Sequence, residues 1–315
     1  MRTFFGIVAA IAAVLVGAYF YLSVPDIPRA TLEAKYAKPP SQFLTLADGA
    51  RVHYRDQGPK NGTVIVLVHG SNASLFTWEP WVSRLGDTYR IVTMDMPGHG
   101  LTGAVPSGDY SQKGMADFVN AVADKLGLQK FVIGGNSMGG GVAARFAEDF
   151  PNRVIALILV DAGGMPARMG DHVPIGFRIA RTPVLNKLML HVTPRHLFKE
   201  GLDDSFAHQN LVTPDMVTQY WELNVMAGTR AANMKRFQLP FDTYVKDHAG
   251  EIKVPTLILW GAKDHLIPVA AAHDYQAAIA GSKLIVYPDA GHIVQEDEAD
   301  KSAADVRAFL SRLPR

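Results

Sequence analysis

Hydrophobic and polar positions divide the chain into distinct regimes. The first is one apolar block: Phe4–Val24 carries no charged residue and follows Arg2. Residues 42–162 then alternate short apolar runs with segments of helical period. Phe43–Leu46 and Arg51–Tyr54 flank a turn at Asp48–Gly49 and read as a β-hairpin. Thr63–Val68, Tyr89–Met94, Phe131–Ile133 and Val154–Val160 are continuous apolar runs, as expected of strands covered on both faces. Helices fall between them. One carries Phe76, Trp78 and Trp81. Another, over Ser111–Leu126, puts Met115, Phe118, Val119, Val122 and Leu126 on one face, with Gly127 as its stop. A third follows residue 137 and ends before Pro151. From 163 to 254 the alternation ceases, and amphipathic stretches broken by Pro166, Pro174, Pro183, Pro194 and Pro214 replace it. That is too long for a loop, so a helical insertion is expected. The alternation resumes with a strand at Thr256–Trp260, a helix at Pro268–Ala280, a strand at Lys283–Tyr287 and a closing helix at Glu298–Leu313.

This pattern predicts an α/β fold, with a mostly parallel eight-stranded sheet and helices on both faces. The core comprises 42–162 and 255–315, and 163–254 is the helical insertion between its two parts. Residues 25–41, which end in Pro39–Pro40, read as a linker, and 1–24 as a transmembrane signal-anchor. A helix over the apolar block is long enough for a hydrocarbon core of about 30 Å, and Tyr19 and Tyr21 suit its far interface. A cleaved signal peptide is the competing reading. It would want a shorter core and a small-x-small site, which Leu22–Asp26 does not offer. The expected arrangement is a membrane-anchored protein with the domain that follows the anchor exported to the periplasmic or extracellular side. Basic residues on both flanks (Arg2; Arg29, Lys35, Lys38) leave the orientation weakly specified.

Composition narrows the chemistry. The net charge is +1 at pH 7 with no basic block, so no nucleic-acid partner is expected. There are no cysteines, which excludes disulfides, thiolate metal sites and a cysteine nucleophile. No histidine pair has metal-site spacing, and neither metal nor cofactor is expected.

The segment Gly135–Asn136–Ser137–Met138–Gly139 joins an apolar run to an alanine-rich helical stretch. A G-x-S-x-G string between strand and helix is a sharp turn that exposes a serine hydroxyl. A glycine-rich turn is the bland reading, and the flanking strand and helix argue against it. Such a serine needs a base, and the base an orienting acid, in the chain order serine, acid, histidine. Asp264 follows one later strand and His292 the next. Asp161 also ends a strand and is the alternative acid.

With these motifs the chain resembles the α/β-hydrolase superfamily, in its group with a helical lid, over residues 42–315. The resemblance implies Ser137 as nucleophile, Asp264 as acid and His292 as base. His69–Gly70 resembles the family's oxyanion loop, which implies the backbone N–H groups of Ser71 and Met138 as the oxyanion hole. Asp95–Gly100 resembles a structural loop. His69, His99 and His265 are read as structural, and His53, His172, His191, His196, His208, His248 and His273 as surface residues. Serine at 137 disfavours haloalkane dehalogenases and epoxide hydrolases of this fold, which use aspartate there. The leading expectation is a serine hydrolase cleaving a hydrophobic or lipid-like carboxylic ester through an acyl-enzyme. A C–C bond hydrolase of ring-cleavage products and a non-catalytic ligand-binding protein are the alternatives. Lid residues including Phe177, Leu185, Leu188, Phe198, Trp221, Leu223 and Met226 either line an acyl pocket or pack the lid helices.

Overall fold

The computed structural model describes residues 2–166, 178–179, 182 and 185–313. Eight strands form one sheet: β1 (Gln42–Thr45), β2 (Arg51–Gln57), β3 (Val64–Val68), β4 (Arg90–Met94), β5 (Phe131–Asn136), β6 (Val154–Val160), β7 (Thr256–Gly261) and β8 (Lys283–Tyr287). Their order is β1-β2-β4-β3-β5-β6-β7-β8. The hairpin β1–β2 and the pair β2–β4 are antiparallel, and every other pairing is parallel.

The continuous apolar runs have a simple cause. Side chains alternate across a strand, and here both faces are covered. Val66, Val68, Ile133, Leu157, Leu159, Ile258 and Trp260 pack on one face under the helices α4 (Gln112–Lys125) and α5 (Met138–Asp149). Ile65, Leu67, Val132, Ile158, Val160, Leu257 and Leu259 pack on the other with Trp78, Trp81, Leu85 and Val306. Trp81 and Leu85 belong to α3 (Glu79–Leu85). The amphipathic α4 starts at Ser111, whose hydroxyl accepts from the Gly114 N–H, a cap that satisfies one free helix donor.

Two helices precede the sheet. Helix α1 (Arg2–Leu22) contains Phe4–Leu22, with mean hydropathy 2.2 and none of it buried in the protein. By length and composition it can cross a membrane. The stretch read as a linker is more ordered than its prolines suggest. It holds α2 (Arg29–Tyr36), with Leu32 buried against Leu101, Leu223 and Met226.

Among the described residues the lid contributes α6 (Leu185–Leu188), α7 (Arg195–Ser205), α8 (Pro214–Asn224), α9 (Thr229–Phe237) and α10 (Tyr244–His248). Helix α8 opens with Pro214 in its first turn and Thr213 as cap. After the lid come α11 (Ala270–Ala278), α12 (Val294–Asp297) and α13 (Ala299–Leu310). Ile27 forms a bridge with Met226, Val24 N–H donates to His191 O, and Arg230 bonds both Asp26 and the Val24 carbonyl. Residues 23–36 therefore strap the apolar helix to the lid.

Candidate active site

Ser137 stands between β5 and α5 with φ 55° and ψ −122°, a backbone conformation that non-glycine residues seldom adopt. The turn is stitched by backbone bonds: Ser137 N–H donates to Val160 O, and Ser137 O accepts from the amides of Gly140, Gly141 and Gly163. Close packing fixes its residue types. A Cβ at position 139 would lie 2.1 Å from the Val68 carbonyl oxygen, so only glycine lets the start of α5 approach the end of β3. Gly70 also lies close, though less tightly: its Cβ would lie 3.1 Å from Ser137 Cβ. The segment after β3 therefore runs against the serine at Gly70, the residue before Ser71, while Met138 begins α5.

His69 shapes that segment. It is fully buried, its Nδ1 donates to Gly70 O at 2.7 Å and its Nε2 accepts the Met96 N–H at 3.0 Å. Burial holds the imidazole below its ordinary pKa, so this neutral tautomer persists and orients the peptide that precedes Ser71. Asp95 anchors the far end. Its carboxylate accepts from Leu75 N–H, Leu101 N–H and His53 Nδ1, at 2.8, 2.7 and 2.6 Å. His53 is thus not a surface residue, as its scatter along the chain suggested. It is fully buried inside β2, a strand covered on both faces. The useful signal was its place between Val52 and Tyr54 in an apolar strand. His99 is also buried, bonded through Nδ1 to Pro97 O, whereas His265 is exposed.

Asp264 and His292 follow β7 and β8 and meet: Asp264 Oδ2 lies 2.8 Å from His292 Nδ1. The other oxygen, Oδ1, accepts from the amides of Leu266 and Ile267 at 2.8 and 2.9 Å. Both side chains are nearly buried. The backbone of His292 is held from three sides. Its carbonyl accepts from the Asn136 side chain at 2.9 Å, its N–H donates to the lid's Ser205 O at 2.8 Å, and the preceding Gly291 N–H donates to Asp297 at 2.6 Å. Asn136, next to the serine, thereby ties the turn to the histidine loop. Neither Asn136 nor Asp297 was singled out from sequence.

Asp161 occupies a different position. It sits at φ 44°, fully buried, and Oδ1 accepts from Gly261 N–H at 2.8 Å. Burial and the neighbouring Asp264 charge push its carboxyl well above the ordinary range, which favours its neutral form. The imidazole's hydrogen-bonded carboxylate is that of Asp264.

The lid closes over these loops. Leu202, Phe206 and Val217 pack with Phe198 and Tyr220 onto Ile293, next to His292, and Asn224 donates to Asn72 O in the segment after Ser71. Leu223 and Met226 pack against the strap. Phe198, Leu223 and Met226 thus serve lid packing, Leu185 and Leu188 are exposed, and Phe177 lies outside the described residues. Among the described residues no group of three His, Cys, Asp or Glu is placed to hold a metal.

Residues 63–299, which run from β3 through the turn at residue 137 to beyond His292, match the alpha/beta hydrolase fold family. The chain belongs to that family. Among relatives, this hydrolase is 30% identical over 284 residues to a 2-hydroxy-6-oxononadienedioate/2-hydroxy-6-oxononatrienedioate hydrolase of Klebsiella pneumoniae, covering 86% of this chain and 96% of the relative. It is similar in structure to an esterase from Exiguobacterium antarcticum, with TM-score 0.72, 26% identity and coverage of 86% and 99%. It also superposes on a bacterial membrane phospholipase A with TM-score 0.75 and 23% identity, covering 99% of both chains. That last likeness speaks to fold, and it extends over the N-terminal helix and strap.

Proposed function

We propose that this hydrolase is a membrane-anchored serine esterase acting on hydrophobic, lipid-like carboxylic esters, with its catalytic domain exported. The observation that carries the catalytic part is the Asp264–His292 pair, held through Asn136 beside the strained Ser137 turn. His292 Nε2 takes the Ser137 proton as Oγ attacks the ester carbonyl, while Asp264 holds the imidazole's other nitrogen and stabilises the imidazolium. The Ser71 and Met138 N–H groups stabilise the oxyanion. One such donor is typically worth about 3–4 kcal/mol of barrier. His292 then protonates the leaving alcohol, and water, activated by the same base, releases the acid. No cofactor or metal enters this scheme. Charge distribution favours no nucleic-acid partner, and small-molecule esters and the bilayer are the expected partners. The exposed apolar helix, strapped to the lid, supports a substrate drawn from a hydrophobic phase.

The relative from Klebsiella pneumoniae supports a second reading, cleavage of a C–C bond in a vinylogous diketone acid. One experiment separates the two. The full chain in detergent is assayed on p-nitrophenyl esters of increasing acyl length and on a ring-cleavage diketone acid. The esterase reading expects ester turnover that rises with chain length beyond acetate. A higher kcat/KM on the diketone acid than on every ester decides for C–C hydrolysis. Stoichiometric binding without turnover of either class would mark a non-catalytic binding protein.

A further inference from the structure

The carboxylate of Asp297 has an unusual set of partners for a side chain in a four-residue helix. It is fully buried, yet the donors it accepts from lie outside its own helix. Oδ2 accepts from Gly291 N–H at 2.6 Å and from Ala207 N–H at 2.9 Å. Oδ1 accepts from His208 N–H at 3.0 Å and lies 2.9 Å from His208 Nδ1. A buried carboxylate has roughly four lone-pair sites and is costly unless they are used, so these donors account for its burial. They come from two separate places. Gly291 precedes His292, and residues 207–208 follow the lid helix α7, about 90 positions away in sequence.

The same two segments are joined by a second contact, His292 N–H to Ser205 O at 2.8 Å. They also touch at the backbone: a Cβ at Gly291 would lie 2.4 Å from Ser205 O and 2.9 Å from Ala207 N. The lid segment 205–208 and the loop 291–292 thus form one cross-bonded layer, with Asp297 as its common acceptor. The other edge of that layer is the Asp264–His292 hydrogen bond.

We infer that Asp297 is a positioning residue that couples the lid to His292, so that the placement of residues 205–208 sets the placement of the imidazole. This rests on the reading of His292 as the base. Asp297 touches no reacting atom in that scheme. It fixes the peptide from which the imidazole hangs, and misplacement of a reacting group by about 1 Å can cost about 100-fold in rate.

The test compares the full chain in detergent with its Asp297→Asn and Asp297→Ala forms. Rates are normalised to sites titrated with a fluorophosphonate, so that loss of folded protein is not counted. A short ester, p-nitrophenyl acetate, is the substrate. Asparagine keeps one acceptor oxygen, which can remain on Gly291. The expected result is kcat lower by roughly tenfold in Asp297→Asn and roughly 100-fold in Asp297→Ala, with KM nearly unchanged and the acid limb of the kcat/KM–pH profile displaced. Amide hydrogen exchange gives a reading independent of turnover: 205–208 and 289–293 should lose protection together. Normalised kcat and pH profile equal to the wild type overturn the inference. So does exchange that rises in 205–208 while 289–293 stays protected. Absence of phosphonate labelling and turnover in the wild type overturns the esterase reading instead, and the exchange comparison still decides whether lid and histidine loop are coupled.

Discussion

The Ser137 turn and the seat of the lid lie side by side, but different kinds of contact hold them. The turn is fixed by backbone bonds, to Gly140 and Gly141 close by and to Val160 and Gly163 at and just past the end of the next strand, and by small residues within a few positions of the serine. Its packing permits no side chain at Gly139. The lid is fixed by polar side chains recruited from far along the chain. Asp297 grips 207–208, Tyr220 and Thr77 donate to Glu296, Asn224 reaches Asn72, and Arg230 binds Val24 and Asp26 across 206 and 204 positions. A local device needs its residue types at fixed spacing. A distributed one needs only that some donor meets some acceptor after folding. The first therefore leaves a motif in the sequence and the second does not.

The contrast can be broken most sharply at the acid. Asp264→Asn should lower kcat on a short ester by roughly 10⁴-fold, because the imidazole loses its tautomer-fixing partner. Asp161→Asn should change kcat less than about tenfold, since its neutral carboxyl and an amide can both accept from Gly261 N–H. Larger loss in Asp161→Asn than in Asp264→Asn would reverse the assignment of the acid.

The local device should tolerate nothing at its closest point. Gly139→Ala places a methyl 2.1 Å from a backbone carbonyl. The expected cost is at least about 3 kcal/mol of stability, read from urea unfolding, or failure to fold. The distributed device should degrade gradually. Arg230→Met removes bonds to Val24 O, Asp26 and Thr193, and is expected to cost about 1–3 kcal/mol while leaving the Ser137 turn labelled by a phosphonate.

The smallest effect is a pH dependence at Glu296. Burial pushes its carboxyl from 4.5 up to about 7, against the donors Thr77 and Tyr220 and with help from the nearby Asp297 charge. The folded state therefore holds this proton at pH values where the unfolded chain has lost it. Its contribution to stability is fully present below about pH 4.5 and is lost as pH rises through about 7. The difference in Tm between wild type and Glu296→Gln should drift in that direction between pH 4.5 and 7 and flatten above it. A difference that is constant over that interval would contradict the shift.

How far the sequence could be read follows the same division. The central strands β3, β5, β6 and β7 were legible because burial on both faces leaves unbroken apolar runs, whereas the β1–β2 hairpin was legible from its turn. Ser137, Asp264 and His292 could be picked out because Ser137 directly follows β5 and the other two lie in the loops after β7 and β8. The lid was locatable by the loss of alternation, but its docking was not, because Asp297 and Glu296 look like ordinary charges at the start of an exposed helix. Residues 25–41 looked like a linker for a related reason. Their packing depends on Leu101, Leu223 and Met226, which only the fold brings near. His53 misled because a lone polar residue in a strand is usually solvated, whereas here Asp95 waits inside the sheet to meet it.

The central claim is that the strained serine is the nucleophile activated by the His292–Asp264 pair. Reaction of the full chain with a fluorophosphonate, followed by peptide mapping, tests it most directly. The account predicts a single phosphonyl adduct on Ser137, lost in Ser137→Ala and slowed in both His292→Ala and Asp264→Asn. Labelling that persists in Ser137→Ala, or that maps to another residue, would contradict it.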